Sequence, residues 1–185
     1  MRLFVAINFP ETLRQGLWSA TESLRSGALP VRWVQPDAMH LTLKFLGEVA
    51  ADRQDQLGDA LRRVAGSCRA VTVTVGEFGA FPDPRRPRVL WAGVSPEPGL
   101  ELLQHQVEQE FGPLGFPPEG RPFRPHLTLG RAQRDAGAVA FRDLEGLMSG
   151  VRFEETVTVS SVELMRSIPT RTGAEYQPVS SGRLS

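Results

Sequence analysis

The chain has 185 residues, of which 41% are hydrophobic and 23% charged, a composition typical of one globular domain or of two small lobes that share a core. Its 21 basic and 21 acidic side chains cancel, which argues against a protein that coats long nucleic acids and favours a local contact at a nucleic-acid end or with a small ligand. Its one cysteine, Cys68, excludes an internal disulfide, and no apolar run approaches the ~20 residues that span a bilayer, so we expect a cytoplasmic protein.

The first half of the chain is predicted to mix strands and helices. Strands are predicted at Leu3–Phe9, Val31–Val34, Met39–Phe45 and Val71–Phe78, the last from its alternation of valine and threonine. Leucines at helical spacing predict helices at Glu11–Arg25 and Asp52–Ala65. A turn rich in proline and arginine follows at 81–87.

The second half repeats this mixture. Strands are predicted at Arg88–Val94, His126–Arg131, Thr156–Met165 and Ala174–Val179, with helices at Leu100–Phe111 and Val139–Leu147. The segment 112–125 is dense in glycine and proline and is predicted to be a loop. Because most connections between strands are short, the pattern favours an α+β fold of mainly antiparallel sheet over a doubly wound parallel one.

One internal repeat stands out. The tetrapeptide His-Leu-Thr-Leu occurs at 40–43 and again at 126–129, in corresponding halves of the chain. In a strand, alternation puts the histidine and threonine of each copy on one face and the two leucines on the other. The repeat therefore predicts two similar lobes, each of which contributes one strand to a shared cleft. Residues 1–185 are expected to form this single bilobal domain.

Two imidazoles on separate strands are suited to acid–base catalysis at phosphorus. With a pKa near 6.5, one ring can take a proton from the nucleophile while the other gives a proton to the leaving oxygen. In-line displacement puts those two oxygens on opposite sides of the phosphorus. Thr42 and Thr128 can donate hydrogen bonds to the phosphate, and Arg131 and Lys44 are candidates to neutralise its charge.

The sequence leaves alternatives open. A metal site is the rival use of paired histidines, but Glu48 is the nearest acidic residue after His40, and no zinc-binding spacing is present. We therefore expect neither metal nor cofactor. The third histidine, His105, lies among polar residues and is predicted to be on the surface.

The paired motifs resemble those of the 2H phosphoesterase superfamily, which is defined by two H-x-T-x motifs at about this separation. The match is most similar to the bacterial and archaeal RNA 2′,3′-cyclic phosphodiesterases, historically called 2′-5′ RNA ligases. The resemblance covers nearly the whole chain, including the opening strand at 2–7, the runs at 33–36 and 40–47, the hairpin residues at 81–82 and 87–91, and the run at 124–131.

This resemblance implies a bilobal fold and metal-independent hydrolysis of an RNA terminal 2′,3′-cyclic phosphate to a 2′-phosphomonoester, with 2′-5′ ligation as its reverse. It implies that His40 is the proton donor, that His126 is the proton acceptor and that Arg131 binds phosphate. Strict alternation would put Arg131 on the leucine face, so we expect a bulge at Gly130 to redirect it. Other cyclic nucleotides as substrate, or a non-catalytic module that binds RNA ends, remain alternatives.

An unpaired terminal base is expected to stack on an aromatic ring. The candidates are Phe9, Phe45, Phe123 and Tyr176, and we prefer Phe123 because arginine and proline flank it on both sides. RNA ends are the expected partner, and we expect a monomer that binds neither DNA nor membrane.

Overall fold

The computed structural model describes residues 1–185. Nine strands run through the chain: β1 (Arg2–Asn8), β2 (Val31–Trp33), β3 (His40–Glu48), β4 (Val71–Phe81), β5 (Val89–Val94), β6 (His126–Ala132), β7 (Glu154–Val159), β8 (Ser161–Thr170) and β9 (Gly173–Arg183). The helices are α1 (Glu11–Ala20), α2 (Glu22–Ser26), α3 (Gln54–Ser67), α4 (Pro98–Phe111) and α5 (Leu144–Ser149). No helix is both long enough and apolar enough to cross a membrane.

All nine strands belong to one antiparallel sheet. Its order is β7-β4-β5-β6-β3-β1-β8-β9, and β2 pairs with β6 off this path. One half of the sheet is β9-β8-β1-β3 and the other is β7-β4-β5-β6 with β2. The two halves join where β3 meets β6, through the single pair Leu41 and Leu127. The predicted α+β fold, with one histidine strand from each half, is confirmed.

The sheet has a covered face and an open face. Apolar side chains at alternate strand positions form a core of 41 buried residues with the helices. Leu41, Leu43, Leu127 and Leu129 all belong to this core. The histidine and threonine of each repeat are less buried, because they point to the other side of the sheet. The two histidines and the two threonines of the repeats therefore share the open face.

Three predicted elements are divided in the structure. The helix expected at Val139–Leu147 is a short 3₁₀ helix at Ala138–Phe141 followed, after a turn, by α5. The helix expected at Glu11–Arg25 breaks at Thr21, whose hydroxyl donates to the carbonyl oxygen of Leu17. The strand expected at Thr156–Met165 is wrong as a single element, since β7 pairs with β4 at one edge of the sheet and β8 pairs with β1 in the other half. Uninterrupted alternation does not reveal that the chain changes partners there.

Candidate active site

His40 begins β3 and is held by a backbone carbonyl. Its Nδ1 lies 2.8 Å from the carbonyl oxygen of Ala38, and its Nε2 lies 3.1 Å from the hydroxyl of Thr42. A carbonyl oxygen can only accept, so Nδ1 carries the proton in the neutral ring. Nε2 is then free to accept from Thr42, or to carry a second proton when the ring is charged.

His126 is held in the same way. Its Nδ1 lies 2.6 Å from the carbonyl oxygen of Arg124, again two residues earlier in the chain. The neutral ring therefore carries its proton on Nδ1, and the lone pair of Nε2 has no partner within the protein. The repeat thus fixes the tautomer of both rings as well as their positions. It leaves Nε2 of His126 without a protein partner, while Nε2 of His40 contacts only the rotatable hydroxyl of Thr42.

The junction of β3 and β6 sets the separation of the rings. Leu41 and Leu127 are direct antiparallel partners, and each follows its histidine by one residue. In this register His40 lies opposite Thr128 and diagonal to His126, an arrangement in which Cα atoms are about 7–8 Å apart. Two imidazoles so placed can approach one phosphate from different sides.

Aromatic rings surround both histidines. The ring of His40 lies 4.9 Å from that of Phe4 and 4.8 Å, edge to face, from that of Tyr176. The ring of His126 has an edge-to-face contact with Phe81 at 5.1 Å. Phe81 was not predicted as a site residue, although its place in the hairpin was recognised. These rings restrain the imidazoles and exclude water from one side of each.

The surroundings lower the pKa of both imidazoles. For His40, burial lowers the pKa most, the Ala38 carbonyl opposes this, and the positive charges of Arg131 and His126 lower it further. For His126, burial again lowers the pKa most, the Arg124 carbonyl opposes it, and Arg131 lowers it further. A bound phosphate anion would reverse the effect of these positive charges, because it favours protonation of a neighbouring imidazole.

Arg131 reaches the open face through a β-bulge. Leu90 pairs with Gly130 and Trp91 with Thr128, so Leu129 is the extra residue of β6. The bulge keeps Leu129 and Gly130 buried and turns Arg131 outward, toward the histidines whose pKa values it affects. The expected bulge exists, but it lies at Leu129 and not at Gly130.

The same bulge in the first repeat contradicts the prediction for Lys44. Val5 pairs with Lys44 and Ala6 with Thr42, which leaves Leu43 as the extra residue of β3. Lys44 therefore points to the covered face, where its ammonium donates to Glu108 at 2.5 Å and to the carbonyl oxygen of Pro117 at 2.9 Å. The prediction that Lys44 faces the phosphate with His40 is wrong.

The bulge in β3 also turns Phe45 outward. Phe45 corresponds by position to Arg131 of the second repeat and is 66% exposed, on the face that carries His40. Phe123, the preferred stacking candidate from sequence, is half-buried and packs against the main core, while Phe9 is buried within it. Of these three rings only that of Phe45 is exposed, and it packs against Phe4, which in turn contacts the ring of His40.

Thr42 and Thr128 lie on the open face as predicted, each two residues after its histidine. His105 is exposed on α4, away from the sheet repeat, as predicted. No group of three or more histidine, cysteine, aspartate or glutamate side chains is close enough to hold a metal ion.

Comparison with known proteins gives a consistent result. The model of the 2′-5′ RNA ligase superfamily matches residues 13–170. The chain is 32% identical to an RNA 2′,3′-cyclic phosphodiesterase of Methanothermobacter thermautotrophicus, over 100% of this chain and 99% of that protein. A crystal structure of a Thermus thermophilus protein superposes with a TM-score of 0.83 at 27% identity, covering 100% of this chain and 98% of that one. LigT of Escherichia coli, complexed with 3′-AMP, has a TM-score of 0.78 at 28% identity, with the same two coverages.

Proposed function

The chain belongs to the 2′-5′ RNA ligase superfamily, and we propose that it hydrolyses terminal 2′,3′-cyclic phosphates of RNA to 2′-phosphomonoesters, with His126 and His40 as base and acid. The observation that carries this proposal is the matched pair of histidines, each with Nδ1 bound to a backbone carbonyl and Nε2 available on the open face. The names of the relatives support the substrate class.

The proton transfers follow from the tautomers. Nε2 of neutral His126 takes a proton from water as the water oxygen attacks phosphorus, and the bond from phosphorus to O3′ breaks. Protonated His40 gives its Nε2 proton to O3′, so the product carries a 2′-phosphate and a 3′-hydroxyl. The hydroxyl of Thr42, which lies beside Nε2 of His40, can then turn to a phosphate oxygen. Each proton transfer is expected to contribute about 10²- to 10⁴-fold to the rate.

Arg131 and the two threonines stabilise the negative charge of the phosphate during the reaction. A guanidinium on the face of both imidazoles can bind the non-bridging oxygens, which carry the charge through the transition state. The backbone of Thr128 pairs with Trp91, but its hydroxyl makes no hydrogen bond within the protein and is free to donate to the same oxygens. We further propose that an RNA 5′-hydroxyl can replace water as the nucleophile, in which case the same proton transfers give a 2′-5′ linkage.

Phe45 is the proposed platform for the terminal base. Its ring is 66% exposed and rests against Phe4, at 6.2 Å between ring centroids, on the same face as His40. A base stacked there would hold the ribose near the acid. Stacking tolerates any base, which suits a substrate defined by its cyclic phosphate rather than by its sequence.

The test is turnover of a nucleoside 2′,3′-cyclic phosphate in the presence of EDTA, with the product identified by chromatography. We expect the 2′-phosphate, and we expect His40→Ala and His126→Ala each to lower kcat by at least about 10²-fold. His105→Ala is the matched control, because it removes the third histidine from an exposed helix position.

Three results would count against the proposal. A 3′-phosphate product would mean that the other bond breaks, and a loss of activity in EDTA would contradict metal-free catalysis. Binding of RNA ends without any turnover, unchanged in His40→Ala, would favour a binding module instead.

A further inference from the structure

A second arginine lies beside Arg131. Strand β2 pairs with β6 so that Arg32 is the direct cross-strand partner of Arg131, with Trp33 opposite Gly130. Direct partners in an antiparallel pair project to the same face. Arg32 therefore stands on the open face next to Arg131, although it precedes the first histidine repeat and belongs to neither copy.

The packing of β2 fixes this orientation. Val31 and Trp33 lie over Gly130 on the covered face, so closely that a Cβ there would be 2.5 Å from Cγ1 of Val31 and 2.9 Å from Cε3 of Trp33. Because glycine has no side chain, Gly130 leaves room on the covered face for Val31 and Trp33 of the neighbouring strand. Because Val31 and Trp33 point inward, the residue between them must point outward.

Neither arginine has an anionic partner in the protein. Both side chains are exposed, and neither takes part in an ion pair. Like charges directly opposite one another in a sheet are destabilising, and a bound anion relieves that repulsion. Arg131 lowers the pKa of both histidines, and Arg32 lies one strand farther away, on β2, directly opposite Arg131 of β6.

We propose that Arg32 binds the phosphodiester that joins the terminal nucleotide to its neighbour, while Arg131 binds the reacting cyclic phosphate. The preferred substrate is then an RNA strand of at least two nucleotides, and a mononucleoside cyclic phosphate is a poorer one. This inference rests on the proposed function of the site. It assigns the two guanidinium groups to two successive anions of one strand.

The test compares three substrates that share the same terminal cyclic phosphate. The first is a nucleoside 2′,3′-cyclic phosphate with a 5′-hydroxyl, the second is a dinucleotide with an ordinary internal phosphodiester, and the third is that dinucleotide with an uncharged methylphosphonate linkage. The readout is the ratio of kcat/KM for the charged dinucleotide to kcat/KM for each of the others.

For the unchanged protein we expect a ratio of about ten, equivalent to about 1.4 kcal/mol. Arg32→Ala is expected to bring the ratio to about one, and Arg32→Lys to restore part of it. In Arg32→Ala, the slope of log kcat/KM against log salt for the charged dinucleotide should fall by about 0.7, the contribution of one phosphate contact in a single strand.

Arg69→Ala is the matched control, since Arg69 is an exposed arginine at the opposite end of β4 from Phe81. An unchanged protein that treats all three substrates alike overturns the inference, as does an Arg69→Ala variant that loses the same preference. An equal loss on all three substrates in Arg32→Ala would assign Arg32 to the reacting phosphate itself and so overturn it too. If the unchanged protein hydrolyses none of the three, the proposed function fails and this inference falls with it.

Discussion

Replacement of Lys44 by methionine tests whether this lysine stabilises the fold or serves the substrate. Its side chain is 3% exposed and pairs with Glu108, whose side chain is 11% exposed. In Lys44→Met the Glu108 carboxylate keeps only the amide of Gln104 as a donor, and the carbonyl of Pro117 loses its partner. An uncompensated charge of this kind is strongly destabilising because water does not replace the lost partner.

The cost follows from the burial of both groups. Removal of one partner of a buried ion pair costs about 3–5 kcal/mol. For a chain of this length, each kcal/mol corresponds to about 2–4 °C in Tm, so Lys44→Met is expected to lower Tm by about 6–20 °C. The double variant with Glu108→Met also removes the stranded charge, and should be about 1–3 kcal/mol more stable than the sum of the two single changes.

Urea unfolding followed by circular dichroism measures the stability, and hydrolysis of a nucleoside 2′,3′-cyclic phosphate measures the site. We expect kcat/KM per folded molecule to stay within about twofold of the unchanged protein, since Lys44 points away from His40. The reasoning would be refuted if Lys44→Met had the unfolding midpoint of the unchanged protein and a much lower kcat/KM. That result would indicate that Lys44 contacts the substrate.

Further predictions concern the open face and the strand that borders it. Because both histidine pKa values are lowered in the free protein, kcat/KM should be highest below about pH 6.5 and fall as pH rises. The fall in kcat should lie at higher pH, because bound phosphate raises the pKa of His40. Profiles of kcat and kcat/KM that coincide would contradict this. Because these two pKa values are lower in the folded protein than in the unfolded chain, the unfolded chain binds protons more readily as pH falls. The free energy of unfolding should therefore be highest above about pH 6.5 and decline at lower pH, which urea midpoints measured between about pH 5 and 8 would show. Phe45→Ala should raise KM for the cyclic substrate by about tenfold, while Phe45→Tyr should not, since stacking is worth about 1–3 kcal/mol per base; equal KM values would exclude the platform. Gly130→Ala should cost about 1–3 kcal/mol, measured as a fall in Tm, because the added Cβ meets Val31 and Trp33 of β2. An unchanged Tm would show that β2 moves aside without cost.

Much of the site could be predicted from local pattern. The repeated His-Leu-Thr-Leu predicts which side chains are buried and which face away from the core, since two leucines at alternate strand positions must face the core. His40, Thr42, His126 and Thr128 accordingly lie where alternation puts them. The α+β fold followed from the same kind of reasoning, because short links between strands permit antiparallel pairs and not parallel ones.

Beyond the second leucine of each repeat, alternation gave the wrong face. Lys44 was expected beside the phosphate and lies in the core, and Arg131 falls on the leucine face by strict alternation and lies with the histidines. One cause explains both, since an extra residue at Leu43 and at Leu129 shifts the side chains that follow to the other face. The position of that extra residue depends on how neighbouring strands pair.

The proposed catalytic groups are contained in local sequence, because the two four-residue repeats hold both histidines, both threonines and the leucines that anchor them. The other members of the site depend on long-range contacts. Phe45, Phe81 and Tyr176 come to the open face from different strands, and Arg32 reaches Arg131 through the pairing of β2 with β6. Contacts between distant segments depend on register, and register is set by the whole sheet and by its bulges, which local alternation does not encode.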